Sequence, residues 1–215
     1  MNIKRGIAFA AAACSIAGLG MATAPSASAS TSPNAGLAVA KHVFAAGNPQ
    51  AAYKALSAAD KAAFNSVEQP ATASHTQTAT PLTAAQARAL RPASGMRPMA
   101  YSGCWALSDT WGEKAAAGNT LFTYWQATEV CVSNGRVTGV SVYNYGGETS
   151  TPGWYKSGDA TSATFNAGWE GRGYVQVNYA LGVNGWNIQH LTPCGQLRLN
   201  GNGYNYAVSS SCNLN

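Results

Sequence analysis

The aromatic residues of this 215-residue chain are concentrated in its C-terminal half. All six tryptophans and nine of the ten tyrosines fall within residues 99–215, which also contain 17 glycines. Aromatic side chains favour the pleated surface of a sheet, and glycine marks turns and bulges, so this composition predicts an all-β domain. Short strand-like runs between turn signals predict about eight antiparallel strands, arranged as a sandwich or a barrel.

Four cysteines constrain this predicted domain further. An even number of cysteines in an exported chain indicates disulfides, although four cysteines allow three pairings. The local pattern favours Cys104 with Cys131 and Cys194 with Cys212, because each pair then brackets a hairpin. Metal ligands at CxxC or HxxxH spacing are absent from the sequence. We therefore expect two structural disulfides, no metal and no cofactor.

The first 29 residues predict a secretory signal peptide. A basic start and an apolar stretch precede the small-residue pattern at 27–29, which predicts cleavage near Ser30. A lipoprotein attached at Cys14 and a retained membrane anchor are the alternatives. Cleavage leaves 11 basic and 8 acidic residues, a bias too weak to predict nucleic-acid binding. The prediction is a secreted, extracellular protein, with association with the cell wall left open.

Residues 30–68 form an alanine-rich segment that predicts three short helices. Large apolar residues are sparse but recur at helical spacing. Asn48-Pro49 gives an N-cap followed by proline at the first helical position, and Ser57 precedes Asp60 as in a capping box. So few apolar side chains bury little surface alone. We expect these helices to pack on the rest of the protein or to remain marginal.

Residues 69–98 are rich in threonine, alanine, serine and proline, and they lack an apolar strand pattern. Such a composition is typical of wall-spanning tethers and of cleaved pro-regions. Thr83 and Gln86 could cap a short helix that ends before Pro92. The segment is predicted to be a linker between the helical segment and the β domain at 99–215.

Asn134-Gly135 is the strongest local signal of the β domain and predicts a two-residue type I′ hairpin. Such a loop pairs Val132 with Val137, and regular pairing would continue along both strands. The continued register pairs Thr128 with Ser141, Gln126 with Tyr143, Tyr124 with Tyr145 and Glu129 with Val140. One face of the hairpin then carries four aromatic residues, Phe122, Tyr124, Tyr143 and Tyr145. Trp125 lies on the other face, so one aromatic face is either covered or left for a ligand.

Catalytic groups are sparse in the predicted β domain. Its one histidine, His190, has no Gly-x-Ser-x-Gly motif nearby, and no phosphate-binding loop opens a helix. Six acids could supply a carboxylate pair for glycoside hydrolysis: Asp109, Glu113, Glu129, Glu148, Asp159 and Glu170. Glu129 shares a face with Trp125, which favours partial burial and a raised pKa. It is the catalytic candidate, and the favoured alternative is a charge at the edge or rim of the sheet.

Exposed aromatic rings are the stronger functional signal. Tryptophan and tyrosine rings stack on sugar faces or apolar groups and lose little side-chain entropy when fixed. Trp154 and Tyr155 lie in a loop-like stretch and Trp169 lies beside a glycine turn, so these three are expected to be exposed. Filling of the core by the same rings is the alternative. The candidate ligand-binding residues are Tyr124, Tyr143, Tyr145, Trp154, Tyr155 and Trp169.

Two resemblances accompany these motifs. The runs Gly103-Cys104-Trp105-Ala106-Leu107, Asn184-Gly185-Trp186-Asn187 and Ser209-Ser210-Ser211-Cys212 are similar to a group of uncharacterised exported proteins of actinobacteria. Gly103-x-Trp105 and residues 134–139 resemble segments of calycin barrels such as the avidins. The second resemblance implies a closed eight-stranded barrel with a ligand in its mouth, although two disulfides depart from the avidin pattern.

These observations predict a secreted binding module whose exposed aromatic residues recognise a carbohydrate, a cell-wall polymer or a small apolar ligand. A secreted hydrolase with a carboxylate pair is one alternative. A protein-binding inhibitor or effector with an N-terminal pro-region is another. The expected partner is a polysaccharide or another extracellular protein, with neither nucleic acid nor, after signal cleavage, a membrane involved.

Overall fold

The structure is a computed structural model that describes residues 33–90, 102–183, 185–201, 205–209 and 211–214. The predicted signal peptide, with Cys14 and the cleavage site, lies outside the described residues. So do residues 91–101, where the predicted linker meets the β domain.

Three short helices begin where the sequence predicts them, and their bounds are α1 Pro33–Ala45, α2 Pro49–Ala55 and α3 Ala58–Glu68. The Ala51 N–H donates to Asn48 Oδ1 at 3.0 Å, and the Asp60 N–H donates to Ser57 Oγ at 3.1 Å. Both side chains satisfy N–H groups that a helix leaves unpaired at its start. The two predicted N-caps are confirmed.

The segment predicted to be a linker contains a long strand, so that prediction is wrong for β1, Pro70–Leu82. Along β1 only Pro70, Gln77 and Leu82 are half-buried, and the other residues are exposed. Main-chain pairing with the next strand, rather than burial of side chains, holds β1 in place. Hydrophobic patterning does not detect such a strand. A short helix α4, Ala84–Leu90, follows the predicted Thr83 cap.

Ten further strands follow within the described residues: β2 Ser102–Ala115, β3 Thr120–Ser133, β4 Arg136–Thr149, β5 Trp154–Lys156, β6 Thr161–Asn166, β7 Glu170–Gln176, β8 Tyr179–Val183, β9 Trp186–Leu191, β10 Cys194–Asn200 and β11 Asn205–Ser209. They form three antiparallel sheets with β1. The first sheet has the order β1-β2-β3-β4, the second β11-β10-β7-β6 and the third β5-β8-β9. The predicted antiparallel all-β main domain behind a helical segment is confirmed.

The first and second sheets pack face to face, and glycines of β7 set their close approach. A Cβ atom at Gly171 would lie 2.6 Å from Val140 Cγ2, and one at Gly173 would lie 3.0 Å from Val142 Cγ2. Larger residues at these glycines would push the sheets apart. The side chains buried between the sheets include Leu107, Trp111, Tyr124, Val130, Leu197 and Leu199.

Both predicted disulfides are present. Cys104 and Cys131 are directly opposite each other on β2 and β3. Cys194 of β10 is bonded to Cys212 and ties the C-terminal residues to the second sheet. Each bond joins the pair that the hairpin pattern favoured. These four cysteines therefore have no free thiol that could act as a nucleophile.

The Asn134-Gly135 turn is confirmed, but the register predicted beyond it is wrong. Both turn residues have positive φ, 51° and 72°, as a type I′ turn requires. Val132 pairs with Val137, after which two bulges each insert an extra residue on β4. The observed pairs are Cys131–Gly139, Glu129–Ser141, Thr128–Val142, Gln126–Tyr145 and Tyr124–Gly147. Tyr143 is the extra residue of the second bulge.

Candidate functional site

One face of the first sheet points away from the second sheet, and we call it the outer face. On β3 the side chains of Tyr124 and Gln126 point inward, and Gln126 Nε2 donates to the Gly173 carbonyl at 2.9 Å. Alternation along the strand therefore places Trp125, Ala127 and Glu129 on the outer face. Their partners on β2 are Thr110, Ser108 and Ala106.

The regular register had predicted that Tyr143 shares a face with Tyr124. The bulge in β4 instead places Tyr143 on the outer face. Burial and the charge of Glu129 raise the pKa of Tyr143, and the nearby Ser108 hydroxyl, which can donate to the phenol oxygen, partly offsets that rise. Ser108 and Glu129 both belong to the outer face, so the Tyr143 side chain crosses β3 toward β2. The ring remains 37% exposed.

Trp125 supplies a second ring on the outer face. It is half-buried, and a Cβ atom at its β4 partner Gly146 would lie 2.9 Å from Trp125 Cζ2. The indole therefore covers the bare backbone at Gly146. Trp125 and Ala127 are successive outer positions on β3, about 7 Å apart. Tyr143 reaches toward Ser108, the β2 partner of Ala127, so both rings belong to the same outer face.

A row of hydroxyl groups flanks these rings. Along β1, every second residue presents an exposed hydroxyl on the outer face: Thr72, Ser74, Thr76, Thr78 and Thr80. Thr78 is opposite Ser108 and Thr76 is opposite Thr110, which extends the row onto β2. The strand contains no lysine, arginine, aspartate or glutamate. Sequence reasoning missed this row, although the alternation of threonine and serine was its signal.

Two predicted ligand-binding residues belong to the core instead. Trp154 was expected to be exposed but is 4% exposed, and its ring centroid lies 5.0 Å from that of Phe122. Tyr124 is 1% exposed and stacks on Trp111. The helical segment covers the loop that carries Trp154, and nothing in the local sequence indicates where those helices pack. Neither ring is available for stacking at the surface.

The other predicted aromatic residues are exposed but are not brought together. Tyr145 is opposite Gln126, Tyr155 lies on the third sheet, and Trp169 occupies the turn before β7. Tyr155 donates its hydroxyl proton to Asn187 Oδ1 at 2.6 Å. The structure therefore divides the predicted set between separate surfaces.

Trp169 is the most exposed of these rings, and its neighbour Arg172 has structural partners. The guanidinium carbon lies 5.5 Å from the Trp169 centroid and 5.8 Å from that of Phe165. Arg172 Nε donates to Glu170 at 2.5 Å, and Nη1 donates to the Leu214 carbonyl at 2.6 Å. This cation holds the C-terminal residues against the second sheet.

The candidate acids Asp109 and Glu129 lie on opposite faces of the first sheet and do not form a catalytic pair. Asp109 points into the core opposite Gln126, whereas Glu129 lies on the outer face. Glu170 is paired with Arg172. Burial raises the pKa of Asp109 to about 6, while nearby His75 and the Thr110 backbone lower it. Two carboxyl groups on opposite faces of a sheet cannot flank one glycosidic bond.

The Glu129 carboxylate lies beside a disulfide. Its Oε1 atom is 3.2 Å from Cys131 Sγ, and the ligand atoms of Cys104, Glu129 and Cys131 lie within 4.8 Å of one another. Metal ligation by cysteine requires a thiolate, and both sulfur atoms are committed to the disulfide. In this oxidised form the cluster consists of a structural disulfide and the neighbouring Glu129 carboxylate.

No protein-family model, curated protein or solved structure matches the chain. The resemblances to exported actinobacterial proteins and to avidin-like barrels therefore stay predictions. Among the described residues, no helix is both long enough and apolar enough to cross a membrane.

Proposed function

We propose that this protein is a secreted binding module that recognises the surface of a neutral, insoluble polysaccharide through its outer face. The observation that carries the proposal is the bulge that sets Tyr143 on the same face as Trp125, toward Ser108 and the hydroxyl row of β1. Secretion is part of the proposal and is supported by the two disulfides.

The two rings suit the apolar faces of sugar residues. A ring lying along the surface of a sheet presents a broad, rigid contact with few rotatable bonds. Tyr143 is braced toward Ser108, and Trp125 rests on Gly146, so neither ring must be ordered on binding. Preorganised rings lose less entropy when a ligand stacks on them.

The hydroxyl row suits a polymer that is itself rich in hydroxyl groups. Threonine and serine each offer a donor and acceptor lone pairs, so they can match hydroxyl groups of either orientation. On β1 they recur at about 7 Å, the spacing of alternate residues in a strand. No side chain of the hydroxyl row on β1 carries a charge, which suits an uncharged polymer.

The test is retention of the purified, oxidised protein on insoluble cellulose, chitin and cell-wall polysaccharide. Tyr143→Ala is expected to weaken retention roughly fivefold to tenfold on the polymer that binds, because one stacking contact is lost. Trp125→Ala should weaken it similarly, with circular dichroism used to check folding. Trp169→Ala removes an exposed ring elsewhere and is the matched control.

Two results would overturn the proposal. One is passage of the wild-type protein through all three polymers without retention. The other is loss of retention in Trp169→Ala with normal retention in Tyr143→Ala, which would move the site to the turn before β7.

A further inference from the structure

A groove lies between the turn that joins α1 to α2 and the hairpin formed by β8 and β9. Its volume is about 680 Å³, a size typical of pockets for small ligands. Asn48 and Gln50 line it from the helical segment, and Val183, Trp186 and Asn187 line it from the hairpin. The groove belongs to the third sheet and the helices, whereas the outer face belongs to the first sheet.

Hydrogen bonds within the protein orient two amides of the groove. Asn48 Oδ1 accepts from the Ala51 N–H as the N-cap of α2, and Asn187 Oδ1 accepts from the Tyr155 hydroxyl. Each carbonyl oxygen therefore already accepts one hydrogen bond. Among the described residues neither Nδ2 group donates a hydrogen bond, so each amide offers its N–H donors to a ligand.

An aromatic wall completes the groove. Trp186 is half-buried, and its ring centroid lies 5.6 Å from that of Tyr53, which supports the indole from the helical side. A supported indole beside amide donors provides both a stacking surface and directional hydrogen bonds. Among the described residues that line the groove, none has a charged side chain. The lining thus matches a neutral ligand that has an apolar face and hydrogen-bond acceptors.

We propose that this groove binds a short, neutral oligosaccharide, as a second site distinct from the outer face. A sugar ring has the required apolar face, and its ring and hydroxyl oxygens accept hydrogen bonds from amide N–H groups. This second site rests on the proposed function in one respect, that the ligand is a carbohydrate. Because the groove joins two parts of the chain, a bound saccharide would also link the helical segment to the β domain.

The experiment is calorimetric titration of the full oxidised protein with soluble tetramers of glucose, N-acetylglucosamine and mannose. At least one tetramer is expected to bind and to raise the melting temperature. Asn187→Asp keeps the size of the side chain and can still accept from Tyr155, but it replaces the N–H donors by a carboxylate. It is expected to weaken binding at least tenfold without changing the melting temperature of the free protein.

Two controls separate this site from the outer face. His190→Ala changes an exposed residue of the same strand and should bind the tetramer normally. Tyr143→Ala should also bind it normally, even where it loses retention on an insoluble polymer. Binding of a tetramer with no retention on polymers would uphold the groove and reject the outer face.

Three results would overturn the groove proposal. The first is the absence of binding by all three tetramers. The second is unchanged affinity in Asn187→Asp. The third is binding of an uncharged tetrapeptide, titrated in parallel, more tightly than any saccharide, which would assign the groove to a peptide.

Discussion

Glu68 carries a carboxyl group that is enclosed at the end of α3. Its side chain has no exposure, and neither carboxyl oxygen has a hydrogen-bond partner within the described residues. Trp154 Nε1 donates to the Glu68 backbone carbonyl at 3.2 Å and so fixes the main chain beside it. Burial raises the pKa of Glu68 to about 8, and the Trp154 indole partly offsets that rise. The residue is thus neutral in the folded protein under conditions that ionise it in the unfolded chain.

The raised pKa of Glu68 makes the free energy of unfolding depend on pH. The folded state holds the Glu68 proton more tightly than the unfolded state does. The stability that this proton contributes is therefore fully present below about pH 4.5 and is lost as pH rises to about 8. Glu68→Gln cannot ionise, so the variant is expected to be more stable than wild type at pH 8.5, by on the order of 3 kcal/mol.

Urea denaturation of wild type and Glu68→Gln between pH 4.5 and pH 8.5 measures this difference. The difference between the two curves isolates Glu68, because Asp109 titrates in both proteins. Asp159→Asn removes an exposed acid and should follow the wild-type curve. Parallel curves for wild type and Glu68→Gln would contradict the prediction.

At the scale of elements, β1 and β3 belong to one sheet but are held differently. All positions of β3 are buried or half-buried, whereas ten of the thirteen β1 residues are exposed. An edge strand held mainly by main-chain hydrogen bonds opens at low free-energy cost. We expect the amide hydrogens of β1 that bond to β2 to exchange with solvent roughly 100-fold faster than those of β3. Hydrogen exchange followed by mass spectrometry checks this, and similar protection of both strands would contradict it.

The elements also show which features of this fold a sequence can predict. The caps at Asn48 and Ser57, the Asn134-Gly135 turn and both disulfide pairings were predictable because each depends on residues close in sequence or on one hairpin. The strand β1 and the two bulges of β4 depend on pairing with neighbouring strands, which leaves no apolar pattern. The bulges mattered most for the site, because a shift of one or two residues moved Tyr143 to the opposite face.

At the scale of the whole molecule, the helical segment and the β domain share one hydrophobic core. Val43, Phe64 and Val67 of the helices cluster with Phe122 and Trp154 of the β domain. Phe44 packs on the bare backbone of Gly153, in the loop before β5. Helices of 7 to 13 residues are marginal in isolation, so these contacts account for their stability. The sequence left open whether they pack, because alanine-rich helices give little indication of their partners.

A shared core predicts that both parts unfold together. Phe64 is fully buried in α3, and Phe64→Ala is expected to cost about 3 to 5 kcal/mol because it leaves a cavity where the two parts meet. Far-ultraviolet circular dichroism reports the helices, and tryptophan fluorescence reports the β domain, which contains all six tryptophans. Both signals should lose their native values at the same, lowered denaturant concentration. Asn65→Ala, an exposed change on the same helix, should shift that midpoint little. Loss of the helical signal before the fluorescence changes would show instead that the helices unfold independently of the β domain.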